Sequence, residues 1–122
     1  MKFTISLAPV TKKNSQQIFR KKDGGVVVAP SKAYKAYEHS AGWFLKPLGI
    51  DYPVNIKAVF YMEARRRVDI TNLLSALHDV LVKYGVITDD SANIVVSVDG
   101  SRVMYDKQNP RTEVEITEAC HD

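Results

Sequence analysis

Near the start of the chain, apolar and polar positions alternate. Phe3, Ile5 and Leu7 stand between polar neighbours, the two-residue period of a half-buried strand over 2–8, and Pro9 ends it. A polar stretch over 11–17 follows. Ile18-Phe19-Arg20 and Val26-Val27-Val28 then flank Lys22-Asp23-Gly24-Gly25, whose glycines supply the positive φ of a tight turn, so a hairpin is predicted here. After Pro30 the period changes. Tyr34, Tyr37, Ala41, Phe44 and Leu45 recur at helical spacing behind Ser31, an N-cap residue type, and Pro47 and Gly49 close the segment. Val54, Ile56, Ala58, Phe60 and Met62 alternate again and predict the longest strand, over 53–63. A second helix starts near Asp69, with Ile70, Leu73, Leu74, Leu77, Val80, Leu81 and Tyr84 forming one apolar stripe up to Gly85. Residues around 93–98 read as a strand. Val103–Tyr105 and Thr112–Ile116 read as a last hairpin around Asp106-Lys107-Gln108-Asn109-Pro110. The order β, β-hairpin, α, β, α, β, β predicts a single α+β domain over 1–122, with a mixed β-sheet and two main helices packed on one face.

Composition narrows the class. At 122 residues, with 45% hydrophobic and 25% charged positions, the chain is an ordinary globular one, long enough to bury roughly two-thirds of its unfolded surface. Its single cysteine, Cys120, excludes an internal disulfide framework and fits a reducing compartment. No apolar run approaches the ~20 residues of a membrane span, and the first residues lack the pattern of a signal peptide. A cytoplasmic protein without membrane attachment is expected.

The net charge of +3 hides an asymmetry. Residues 1–67 carry 13 Lys and Arg against 4 Asp and Glu, a balance of +9, whereas residues 68–122 stand at −6. A basic half points to a polyanion such as nucleic acid. The chemistry concentrates where the halves meet. Arg65-Arg66-Arg67-Val68-Asp69 sets phosphate-binding cations beside a carboxylate at a strand-to-helix junction, and Asp89-Asp90 follows the same helix. Mg²⁺ takes hard oxygen ligands, often one or two carboxylates with water and phosphate completing the shell, so this pattern suits metal-assisted phosphodiester hydrolysis. Taken singly, Asp69 is equally a helix cap and Asp89-Asp90 a turn. Asp79, ten residues beyond Asp69, reads as a solvated or salt-bridged helix residue. Lys12 and Lys13 are phosphate-contact candidates, as are Arg20, Lys21 and Lys22, and Asn14 can donate hydrogen bonds to a DNA backbone. His39, His78 and His121 have no metal-ligand spacing, and no glycine-rich phosphate loop, zinc pattern or nucleophile elbow is present.

The run from Arg65 to Leu74, followed by Asp79-Val80-Leu81 and Gly85-Val86-Ile87-Thr88-Asp89-Asp90, resembles the RusA-type Holliday junction resolvases, as does Pro9-Val10-Thr11-Lys12-Lys13-Asn14-Ser15. The family pattern is a basic run, Asp-x-Asp-Asn, a helix with a Lys and an Asp, and a closing Asp-Asp after a Gly turn. The resemblance implies a homodimeric, often prophage-encoded endonuclease that binds four-way DNA junctions and nicks two strands symmetrically with Mg²⁺ or Mn²⁺. It implies metal-binding and catalytic roles for Asp69 and Asp90. Thr71 stands at the family's second Asp and Ser75 at its Lys. Thr71 is then expected to assist as a neutral metal ligand, with Lys12, Lys13, Asn14, Arg65, Arg66 and Arg67 on the DNA. The alternative is a catalytically reduced junction-binding dimer of the same fold.

Overall fold

The computed structural model describes residues 1–12, 16–20, 22–30 and 32–119. The elements are β1 (Lys2–Ile5), β2 (Gln16–Arg20), β3 (Val26–Pro30), α1 (Lys32–Ala41) with a 3₁₀ turn (Gly42–Phe44), β4 (Val54–Met62), α2 (Ile70–Lys83), β5 (Val95–Ser97), β6 (Arg102–Tyr105) and β7 (Arg111–Glu118). The order of elements and the α+β class agree with the sequence reading. β2 and β3 pair antiparallel as a separate two-stranded sheet, with Gly24 at φ +89° and the Gly25 N–H donating to Asp23 Oδ1 at 2.9 Å. The Ser31 cap lies outside the described residues.

The main sheet has five strands. β4 is central. β7 lies antiparallel on one side of it, with β1 antiparallel to β7 beyond, and β5 and β6 both run parallel to β4 on the other side. β4, α2 and the β5–β6 edge therefore form a β-α-β unit, which is why a helix separates the two parallel strands. Val54, Ile56, Ala58 and Phe60 are buried on one face of β4, together with Val114 and Ile116 of β7. They share a core with Leu73, Leu77, Val80 and Leu81 of α2 and Tyr37 and Ala41 of α1. The opposite face is open: Lys2, Thr4, Lys57, Val59, Glu113 and Glu115 line a shallow depression there. Both helices therefore cover one face.

Two expectations are corrected. The last two strands are not a hairpin, because β4 lies between β6 and β7 and pairs with both. The turn residues at 106–110 reverse the chain, but β4 is the strand whose apolar face belongs in the centre of the core. The first helix also stops at Ala41, before Phe44 and Leu45. Gly42 begins the 3₁₀ turn, and a Cβ there would lie 2.6 Å from the Tyr84 ring. The two helix ends meet at this point, where the Tyr84 hydroxyl donates to the Glu38 carbonyl at 2.7 Å.

Between β5 and β6 the edge breaks at 98–101, and side chains replace the ladder. Asn55 Oδ1 accepts from Ser97 Oγ at 2.6 Å and from the Asp99 N–H at 2.8 Å, and the Ala58 N–H donates to Ser101 Oγ at 3.0 Å. Central β4 is thereby kept free of unpaired donors at its interrupted edge.

Candidate metal and nucleic-acid site

β4 ends at Met62, and seven residues later the chain enters α2. Asp69 holds the N-cap position with extended backbone (φ −95°, ψ 127°), and its carbonyl accepts the first helical N–H groups, from Asn72 at 3.0 Å and Leu73 at 3.2 Å. Its side chain does not cap. An N-cap Asp ordinarily accepts a hydrogen bond from the second or third helical N–H, yet here the carboxylate is exposed and takes only a long contact from Asn72 Nδ2 at 3.4 Å. Oδ1 is left for an external partner. Thr71, the second residue of α2, is exposed in the first turn of the same helix end. This end concentrates partial positive charge, so negative charge is well placed there.

At the other end of α2, Gly85 takes φ +72° and turns the chain back. Gly49 and Ile50 donate to the Gly85 and Val86 carbonyls, Ile50 bridges Ile87, and the Thr88 N–H donates to the Ile50 carbonyl at 2.9 Å. The loop that follows divides its two carboxylates. The Asp89 carboxyl has its pKa lowered from the ordinary carboxylate value, first by the Ser91 hydroxyl and then by the Asp90 backbone N–H. It organises the turn. The Asp90 carboxylate is exposed and makes no hydrogen bond or ion pair among the described residues. Its charge is felt by His78 on α2, so Asp90 lies within electrostatic range of that residue.

His78 is half-buried, with Nε2 enclosed and without a hydrogen-bond partner among the described residues. Burial lowers its pKa, and the charges of Asp90 and Asp79 oppose that shift. Asp79 itself is bound: Lys12 Nζ lies 2.6 Å from its Oδ2 and 5.4 Å from the centre of the Tyr34 ring. The salt-bridged reading of Asp79 therefore holds, and Lys12 pins the N-terminal segment across α2. Lys13 and Asn14 lie outside the described residues.

The basic run behaves differently from Lys12. Arg65, Arg66 and Arg67 are exposed, and among the described residues no carboxylate pairs with any of them. Lys2, Lys12, Lys83 and Arg111 are all ion-paired. Three cations left for an external anion thus adjoin Asp69 in the chain.

α2 carries an exposed or half-exposed strip through Thr71, Ser75, His78 and Asp79. Thr71 and His78, seven residues apart, share a helix face. Asp69 and Thr71 begin this strip, and Asp90 and Lys12 approach it further along.

A family model described as "Endodeoxyribonuclease RusA" matches residues 7–117 of the chain. The "Crossover junction endodeoxyribonuclease RusA" of Aquifex aeolicus (strain VF5) is 33% identical over 91 residues, 71% of this chain and 69% of that relative. The chain belongs to the RusA endodeoxyribonuclease family.

Within the RusA frame, the expected residues occupy the two ends of α2 and the loops beside it. Three features were not foreseen. His78 showed no ligand spacing, and only the fold brings Asp90 to it. Lys12 and Asp79 are 67 positions apart, so their pairing had no local signature. Tyr105, on β6, lies under Arg65, with the guanidinium carbon 4.3 Å from the ring centre. Among the described residues no group of three or more His, Cys, Asp or Glu is arranged to hold a metal ion. A cation at this site would rest on two carboxylates and neutral oxygens. No helix among the described residues is long and apolar enough to cross a membrane.

Proposed function

We propose that the protein is a metal-dependent endonuclease that resolves four-way DNA junctions, acting as a homodimer that nicks two strands symmetrically. The observation that carries this reading is the pair of exposed carboxylates, Asp69 and Asp90, at the two ends of α2, with no ion pair among the described residues, beside three arginines that likewise lack acidic partners there, in a chain of the RusA family.

The donor chemistry fits Mg²⁺ or Mn²⁺: exposed carboxylate oxygens at Asp69 and Asp90 and a hydroxyl at Thr71, all hard oxygens. When bound, such an ion lowers the pKa of a water and offsets charge on the scissile phosphate. Asp69 and Asp90 would hold the ion, and Thr71 would add a neutral donor in place of a third carboxylate. Arg65, Arg66 and Arg67 hold the flanking phosphates, and the Asp89 carboxylate keeps the 89–91 turn in shape so that Asp90 stays turned outward.

A labelled synthetic four-way junction, incubated with Mg²⁺ and separately with EDTA, tests the reading. Paired nicks only in Mg²⁺ are expected. Binding without nicking would leave a junction-binding dimer, the reading favoured by Thr71 and Ser75. Failure to bind at low salt would remove the nucleic-acid role.

A further inference from the structure

At the C-terminal end of β4, two arginines lie over two tyrosines. Arg111 covers Tyr61 with its guanidinium carbon 3.8 Å from the ring centre, and Arg65 covers Tyr105 at 4.3 Å. Their edges differ. Arg111 is consumed: Nη1 donates to Asp106 Oδ2 at 2.9 Å and to the Asn109 carbonyl at 2.9 Å, and Nε donates to Glu113 Oε2 at 3.0 Å. Arg65 has the same stacked face but no acidic partner among the described residues. A guanidinium resting on a ring presents its N–H groups in the plane parallel to that ring, and those groups form the fork that matches a phosphate bidentately.

The platform is fixed by the fold. Tyr105 pairs with Met62, the last residue of β4, and the Asp106 N–H donates to the Met62 carbonyl at 2.9 Å. Tyr105 stands at the surface, 40% exposed even with Arg65 over its ring. Arg65, by contrast, sits in a linker without regular structure, four residues before Asp69. An exposed arginine there would otherwise sample many rotamers, and ordering it only on contact with DNA costs entropy.

Resting on the functional reading above, we propose that Tyr105 is a positioning residue. It holds Arg65 face-down so that the guanidinium edge stands ready as a phosphate fork beside Asp69. Arg111, stacked in the same way but with Nε and Nη1 held by Glu113, Asp106 and the Asn109 carbonyl, has a structural part only. Tyr105 acts through Arg65 and makes no DNA contact of its own.

The test measures affinity for a four-way junction in EDTA across a salt series, for the wild type, Arg65→Ala, Arg65→Lys, Tyr105→Phe, Tyr105→Leu and the double variant Arg65→Ala/Tyr105→Leu. Arg65→Ala should reduce the slope of log affinity against log salt by about one contact's worth. Tyr105→Phe keeps the ring and should bind as the wild type does. Tyr105→Leu should weaken binding about two- to fivefold, the size of an exposed cation–π contact. Arg65→Lys should keep the slope but lose affinity. The double variant should bind no more weakly than Arg65→Ala. An unchanged salt slope in Arg65→Ala would overturn the proposal without reference to how the Tyr105 variants fold. A double variant weaker than Arg65→Ala would overturn it too, since the ring would then touch DNA directly. If the wild type binds and nicks junctions while Tyr105→Leu keeps full affinity, the fork falls and the functional reading stands. If the wild type binds no branched DNA, both fall.

Discussion

Two adjacent aspartates in one loop do different jobs, and only their partners reveal it. Asp89 is tied to Ser91, whereas Asp90 is unengaged. Asp90→Asn should lower the cleavage rate by on the order of 10²-fold or more, the scale of losing one electrostatic partner of a transition state, while junction affinity in EDTA holds or rises. Asp89→Asn should act far more mildly. Single-turnover rates of the two variants check the division, and a normal rate for Asp90→Asn would put the metal site elsewhere. His78 gives a second prediction. Burial lowers its folded pKa below the ordinary ~6.5, against the pull of Asp90 and Asp79. The unfolded chain then takes up a proton that the folded chain refuses, so stability is present above pH ~6.5 and is lost as the pH falls through that value toward the lower folded pKa. The thermal midpoint of the wild type should drop more between pH 7.5 and pH 5.5, a window of about one unit on either side of the free value, than that of His78→Gln. Equal drops would show that His78 does not set the acid limb. The places of Asp69, at a helix start, and of Asp90, after the Gly85 turn, were legible in the sequence because helix-boundary residues mark them. Their lack of ion-pair partners among the described residues was not, because it depends on which of several nearby donors each side chain fails to meet.

At the scale of elements, β4 shows what periodicity can and cannot tell. Its alternation is clean because only one of its faces is buried, and the α2 stripe is clean for the same reason. Which strands flank β4 is a matter of long-range pairing, which turn residues do not encode. The segment 106–110 carries hairpin chemistry, yet its strands are separated by β4. The interruption at 98–101 was equally hidden, since its repair uses Asn55 and Ser101 from distant positions. Ser101→Ala should therefore cost about 1–3 kcal/mol, because it leaves the Ala58 N–H in the middle of the sheet without a partner. Urea unfolding measures this, and a change within a few tenths of a kcal/mol would mean that another group satisfies that donor. The Lys12–Asp79 pair is a weaker tie. Both side chains are more than a third exposed, so it contributes at most about 1 kcal/mol to stability. Its consequence is placement, since it ties the N-terminal segment to the middle of α2.

Over the whole molecule, the basic first half and acidic second half meet along α2. The three arginines nearest Asp69 lack acidic partners among the described residues, whereas Lys2, Lys12, Lys83 and Arg111 are paired. Replacing Arg65, Arg66 and Arg67 together by Ala should weaken junction and duplex binding alike and flatten the salt dependence, because each lost phosphate contact removes a counterion release. An unchanged slope would remove the run from the interface. Symmetric nicking by a chain with one such site calls for two copies related by a two-fold axis, and the position of Asp90 decides how the copies share the work. Asp69 opens α2, and Asp90 reaches the helix near His78, nine residues on, or ~13 Å along the axis. The His78 side chain leans toward the N-terminus of α2, and Asp90 lies within electrostatic range of it. On the proposed function, the two carboxylates are expected to serve one site within one chain. Mixing Asp69→Asn with Asp90→Asn subunits tests this. With the site inside one chain, every subunit carries one broken carboxylate and no mixture recovers activity. If the carboxylates instead meet across the dimer, a mixed dimer holds one intact and one doubly broken site, and it nicks a single strand. Single-strand nicking by the mixture, absent from either variant alone, would overturn the expectation and place half of each site on the other subunit.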